Sequence, residues 1–137
     1  MQSAVRPEVR EFFERYERAG RELDLEAVTS SFADTFLSLD ATSAHTLTPH
    51  ALISALPKRK ALFERIGSDG MELGDIEETP LDDGHTLVRT SWTLRIPGGS
   101  LRRQIALSST FLLRRQEGAW RIVVYLNHQD MGKVLGS

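Results

Sequence analysis

The sequence predicts an α+β fold in which helices come first and an antiparallel sheet follows. Two patterns carry this: apolar residues recur every three or four positions near the start, and after Gly70 they alternate every second position between tight-turn dipeptides. A third observation bounds the answer. With 137 residues, 40% hydrophobic and 26% charged, the chain has material for one ordinary core, so a single domain over 1–137 is expected. Helices that precede an antiparallel sheet pack on one of its faces. A strongly curved sheet of this kind encloses a pocket between the two layers.

The first helix is read from Val9, Phe12, Phe13, Tyr16, Ala19 and Leu23, behind a Pro7 that suits a first helical turn because its missing N–H would be unpaired there anyway. Asp24 is placed to cap a shorter helix with Leu25, Val28 and Phe32 on its apolar side. From Phe36 to Asp40 the period becomes two, which predicts a short strand with Phe36, Ser38 and Asp40 on one face. Thr48-Pro49 opens a third helix carrying Leu52, Ile53, Leu56, Leu62, Phe63 and Ile66. Pro57 inside it predicts a kink or two abutting helices.

Turn signals at Asp83-Gly84, Pro97-Gly98-Gly99 and Glu117-Gly118 divide the remainder into a four-stranded meander. In 87–96, Val88, Thr90, Trp92, Leu94 and Ile96 form the face to be buried. In the next strand the odd-numbered face, Ile105 to Leu113, is the better candidate for the interior. The last strand, 119–127, is apolar on both faces, and its orientation stays open.

Several classes of function are excluded at this level. A net charge of −2 gives no field for nucleic acid or an anionic membrane, and the basic pairs lack interleaved aromatics that would stack on bases. There are no cysteines, hence no disulfide, thiolate or iron–sulfur chemistry. The four histidines, 45, 50, 85 and 128, lack metal-ligand spacing, so neither a metal nor a cofactor is expected. No secretory signal or run long enough to span a membrane is present, and the expected compartment is the cytoplasm.

Polar groups on faces meant for burial point to the site, since an unpaired buried polar group is costly. Asp40, Tyr16 and Trp92 are three such residues. An aspartate desolvated in an apolar cavity becomes a stronger base, and a phenol aimed at the same space can donate to a developing oxyanion, so Asp40 and Tyr16 are the expected catalytic pair. The alternatives are that Asp40 caps the turn at Ala41-Thr42-Ser43 and that Tyr16 is a packing residue. The expected pocket lining is Phe12, Phe36, Trp92 and Ser109, with Phe111, Tyr125, Asn127 and His128. His128, near Asn127 and Asp130, is also placed to shuttle a proton.

The segment EVREFFERYERAGRELDLEAVTSSFADTFLSLD at 8–40 and the ending GAWRIVVYLNHQDM resemble the NTF2-like superfamily of cone-shaped α+β domains, within it the SnoaL-like and ketosteroid isomerase-like branch. The resemblance implies a small apolar ligand in the cone, with Tyr16 in the place of the isomerase's oxyanion-hole tyrosine and Asp40 in that of its proton-moving aspartate. The isomerase's second acid has no counterpart: its place falls at or beside Phe111, with Ser109 and Thr110 as polar neighbours. The implied activity is proton transfer of isomerase, cyclase or dehydratase type. The alternative is a non-catalytic ligand-binding or dimerisation module. The resemblance also implies a homodimer through the outer sheet face, where Leu112, Val124 and Leu126 supply an apolar patch.

Overall fold

In the computed structural model, which describes residues 5–65, 70–96 and 103–129, Pro7 occupies the first turn of α1 (Pro7–Glu22). Val9, Phe12, Phe13 and Ala19 are buried along its inner stripe. Asp24 caps α2 (Leu25–Ser30) as expected, its carboxylate accepting the N–H of Ala27 at 3.1 Å. Strand β1 (Phe32–Leu39) begins four residues earlier than the sequence period suggested, and it is followed by a short β2 (Ala44–Leu47) that the sequence reading missed. Nothing in AHTL alternates, and all four residues owe their strand geometry to pairing with Phe36–Leu39.

Helix α3 (Pro49–Arg65) is one helical segment with Pro57 inside it, so of the two expected outcomes, a kink or two abutting helices, the second does not hold. Pro57 is exposed, and the carbonyl of Ile53 that it leaves unpaired belongs to a residue 41% exposed, where water can satisfy it. Ile66, the Pro97-Gly98-Gly99 turn and Asp130 lie outside the described residues.

The meander is present as β3 (Gly70–Asp82), β4 (His85–Ile96), β5 (Arg103–Gln116) and β6 (Ala119–Asn127). The full sheet is curved and unclosed, in the order β2-β1-β6-β5-β4-β3. One pairing departs from the antiparallel expectation: β1 runs parallel to β6. That is possible because the helix and four strands between them supply the long crossover a parallel pair needs. At the β5–β6 turn Glu117 and Gly118 both take positive φ, 53° and 81°, the pair of left-handed residues that a two-residue hairpin favours.

Burial follows the predicted phases in β4 and β5: Val88, Thr90, Trp92 and Leu94 face in, as do Leu107, Ser109, Phe111 and Leu113. In β6 the ambiguity is resolved by a bulge. Leu113 pairs with Ile122 and Leu112 with Val124, so Val123 is the extra residue. Trp120 and Ile122 face the core before it. After it the phase flips, which places Tyr125 opposite Phe111 and Asn127 opposite Ser109 on the inner face.

The core is centred on Phe13, in contact with Phe111 at 4.9 Å between ring centroids, and on the Phe32–Phe36 pair at 4.4 Å. A smaller cluster of Trp92, Leu94 and Leu107 joins it through Tyr16 and Leu73. Between the two clusters the packing is incomplete.

A candidate ligand cavity and its family

A cavity of about 280 Å³ lies between the C-terminal half of α1, α3 and the inner face of the sheet. Its inner wall is aromatic. Tyr125 stacks on Phe111 with centroids 5.1 Å apart and planes 3° from parallel, and Tyr16 meets Phe111 edge-on at 5.7 Å and Trp92 at 6.4 Å. Offset and edge-on contacts of this kind hold aromatic side chains in fixed orientations. Leu107, Ser109 and Asn127 complete the inner wall.

The polar groups of this wall differ in what they have left to offer. The Trp92 indole N–H donates to the Thr90 hydroxyl at 2.7 Å, and that hydroxyl donates to the Ser109 carbonyl at 3.3 Å, so the indole is already satisfied within the sheet. Among the described residues the hydroxyls of Tyr16 and Tyr125 make no hydrogen bond. Burial pushes the Tyr16 phenol well above its ordinary pKa, the neighbouring Tyr125 phenol adds to this, and the Arg59 charge opposes it. Tyr16 therefore stays protonated at neutral pH and is a donor.

Charged residues line only the outer part, on α1 and α3: Glu17, Arg21, Arg59, Lys60 and Glu64. Glu17 is committed to structure. One carboxylate oxygen accepts the Leu73 N–H at 2.6 Å, tying α1 to β3, and the other lies 4.0 Å from Arg21.

Six of the ten residues expected at the site line this cavity: Tyr16, Trp92, Ser109, Phe111, Tyr125 and Asn127. The other four do not. Asp40 lies just beyond β1 on the surface, where one oxygen accepts the backbone N–H groups of Thr42 and Ser43, both at 2.8 Å, and the hydroxyls of Ser43 at 2.9 Å and Thr42 at 3.2 Å. These donors, led by the Thr42 N–H and the Ser43 hydroxyl, hold its carboxyl below the ordinary range. The turn-cap reading of Asp40 is the one the geometry supports, and the pairing with Tyr16 across the cavity is corrected. The reason is local: β1 ends at Leu39, and a chain reversing into β2 needs an acceptor there.

Phe12 and Phe36 are buried in the core rather than in the cavity wall. His128 is exposed, its Nε2 2.6 Å from the Thr110 hydroxyl, which belongs to the opposite face of β5. Sequence reasoning missed Glu17, Gly20, Leu23, Arg59 and Met71 as lining. For Gly20 a signal existed, because it lies four residues, about one helical turn, beyond Tyr16. For Met71 and Arg59 none did, since the approach of α3 to β3 is set by tertiary packing. Among the described residues no three His, Asp or Glu side chains gather as a metal site requires, and no helix is long and apolar enough to cross a membrane.

A family model described as NTF2-like protein (DUF6841) matches residues 7–130. The chain belongs to this NTF2-like family. No functionally curated protein matches the sequence. Among solved structures, Aln2 from a Streptomyces species is 16% identical with a TM-score of 0.75, covering 98% of this chain and all of its own. An NTF2-like protein with a cystatin-like fold from Novosphingobium aromaticivorans is 17% identical with a TM-score of 0.71, over 95% of this chain and 87% of its own. A candidate dehydratase of the NTF2-like family from Streptomyces avermitilis is 10% identical with a TM-score of 0.67, over 90% and 94%. At such identities these likenesses bear on the fold alone.

Proposed function

We propose that this NTF2-like protein binds a small, mainly apolar ring compound carrying at least one oxygen. The observation that supports this best is the cavity itself: its inner wall is aromatic and aliphatic, yet it holds two phenol hydroxyls with no partner among the described residues. Both tyrosines are half-buried and line the cavity, so their hydroxyls are open to an oxygen placed there. The size argues for one or two fused rings, since about 280 Å³ is roughly twice the 150 Å³ that accommodates benzene. The equipment inside is suited to recognition, with Tyr16 as donor and Tyr125, Ser109 and Asn127 as donors or acceptors.

The test is fluorescence titration with N-phenyl-1-naphthylamine, followed by competition with 1-naphthol and with naphthalene. Saturable binding at one site per chain is expected, and Leu107→Trp, which fills the inner cavity, should weaken it at least tenfold. Tyr16→Phe should weaken 1-naphthol by about 2- to 12-fold, the loss of one neutral hydrogen bond, and leave naphthalene unchanged. Absence of saturable binding to the wild type removes this reading.

A second reading, assembly through the outer sheet face, is favoured by a specific row of side chains. Leu87, Leu112, Val124 and Leu37 are successive register neighbours across β4, β5, β6 and β1, and Leu126 faces Leu39 beside them. All are half-buried or exposed on the face away from the helices. A contiguous apolar row of this kind is a self-complementary surface for a second copy of the chain. The two readings are compatible, because the cavity opens on the other face.

A further inference from the structure

The end of α1 breaks two rules of helix construction within four residues, and both breaks line the cavity. The inner stripe of the helix runs Val9, Phe13 and Tyr16, and one turn on, at the exposed edge of that stripe, stands Gly20. Glycine inside a helix is destabilising relative to alanine, because more backbone freedom is lost on folding. Here no steric need explains it: a Cβ built on Gly20 meets nothing within 4 Å. Gly20 nevertheless lines the cavity.

Three residues later the opposite exchange occurs. α1 closes with the Asp24 N–H donating to the Ala19 carbonyl at 2.9 Å and the Leu23 N–H to the Gly20 carbonyl at 3.3 Å, a Schellman arrangement. Its central position is left-handed, with φ 55° and ψ 41°, and is ordinarily a glycine; in this chain it is Leu23. Leu23 too lines the cavity, beside Val28. Glycine therefore stands where a side chain fits, and leucine where glycine fits. Strained or locally unfavourable residues that cluster at one opening are the kind of feature from which a functional constraint is inferred.

We infer that Gly20 and Leu23 form the portal of the cavity. Resting on the ligand-binding reading above, Gly20 leaves the gap through which a ring compound passes between α1 and α3, and the Leu23 side chain forms its apolar collar. They set which ligands enter by width, while the aromatic inner wall sets which are held. Exposed Gly20 on the outside and half-buried Tyr16 one turn deeper mark the direction of entry.

The experiment is a series at Gly20 (Ala, Leu, Phe) together with Leu23→Gly, each measured for melting temperature and, by stopped-flow fluorescence, for the association and dissociation rates of N-phenyl-1-naphthylamine, with Leu107→Trp alongside. Gly20→Ala is expected to melt higher than the wild type and to take up the probe within about threefold of its rate. Gly20→Leu and Gly20→Phe should remain folded, since their side chains project into open space, and should slow association and dissociation together, at least tenfold for Phe, with the dissociation constant nearly unchanged. Leu23→Gly should keep or raise the melting temperature and speed both rates several-fold. Wild-type rates in both Gly20→Phe and Leu23→Gly, with binding lost in Leu107→Trp, overturn the portal and leave the ligand-binding reading standing. Failure of the wild type to bind the probe overturns both. If Gly20→Phe does not fold, Gly20→Leu decides: unchanged rates there overturn the portal.

Discussion

Glu78 anchors the start of α1 to the sheet, and exchanging it for glutamine tests what that anchor contributes. Its side chain is 1% exposed and accepts the Arg6 backbone N–H at 3.0 Å, Arg6 Nε at 2.9 Å, a terminal guanidinium nitrogen of Arg6 at 2.5 Å and the Thr86 hydroxyl at 2.6 Å. Burial alone pushes the carboxyl up; the Arg6 guanidinium, the Thr86 hydroxyl and the Arg6 N–H outweigh it, and the net shift is downward. Glu78→Gln keeps the shape, removes the charge and turns an amide N–H₂ toward donors. Breaking a fully buried ion pair costs about 3–5 kcal/mol. Arg6 is 38% exposed and water screens part of its charge, so the expected loss is about 2–3 kcal/mol at neutral pH. At about 3–4 °C per kcal/mol for a chain of this length, the melting temperature falls by about 6–12 °C. The acid behaviour carries the sign. A carboxyl whose folded pKa lies below its ordinary 4.5 contributes fully above that value and loses its contribution as pH falls through the folded one. The stability gap between wild type and Glu78→Gln, measured by urea denaturation, should therefore be full at neutral pH and narrow below about pH 4.5. A glutamine variant as stable as wild type at neutral pH, or a gap that persists undiminished at about pH 3, would refute the reasoning.

Two other outcomes follow from positions rather than energies. Asp40→Asn should leave the probe dissociation constant within twofold of wild type, because the carboxylate serves a surface turn; a tenfold change would return Asp40 to the ligand site. Leu126→Glu, in the outer-face row, should shift the chain from dimer to monomer in sedimentation equilibrium without changing the circular dichroism spectrum, and a wild type that sediments as a monomer at all concentrations removes the assembly reading.

Most of the fold was legible because it rests on signals of short range. The spacing in α1, the Asp24 cap, the alternation in β4 and β5 and the Glu117-Gly118 turn are each determined within about ten residues. What escaped depends on partners distant in the chain. β2 exists through its pairing with β1, and the parallel seam of β1 on β6 joins residues some 87 positions apart, as in Leu37 with Val124. The bulge at Val123 carries no composition signal, yet it decides that Tyr125 faces the cavity. Asp40 shows the complementary failure. The period placed it on the face of Phe36, but a strand that stops at Leu39 imposes no face on the next residue.

The composition of the cavity also constrains what can happen inside it. With Asp40 outside, the carboxylates in the lining are Glu17 and Glu64. Glu17 is occupied by the Leu73 N–H and by Arg21, so its oxygens already serve the joint between α1 and β3. Glu64 is exposed near the end of α3. The inner wall thus offers neutral donors and acceptors, while Phe111 and Tyr125 stack at the position where the resemblance called for a second acid. A stacked aromatic pair packs ring on ring and, unlike an acid, carries no carboxyl proton to give or take. Burial also raises the pKa of Tyr16, which keeps its phenol protonated and able to donate.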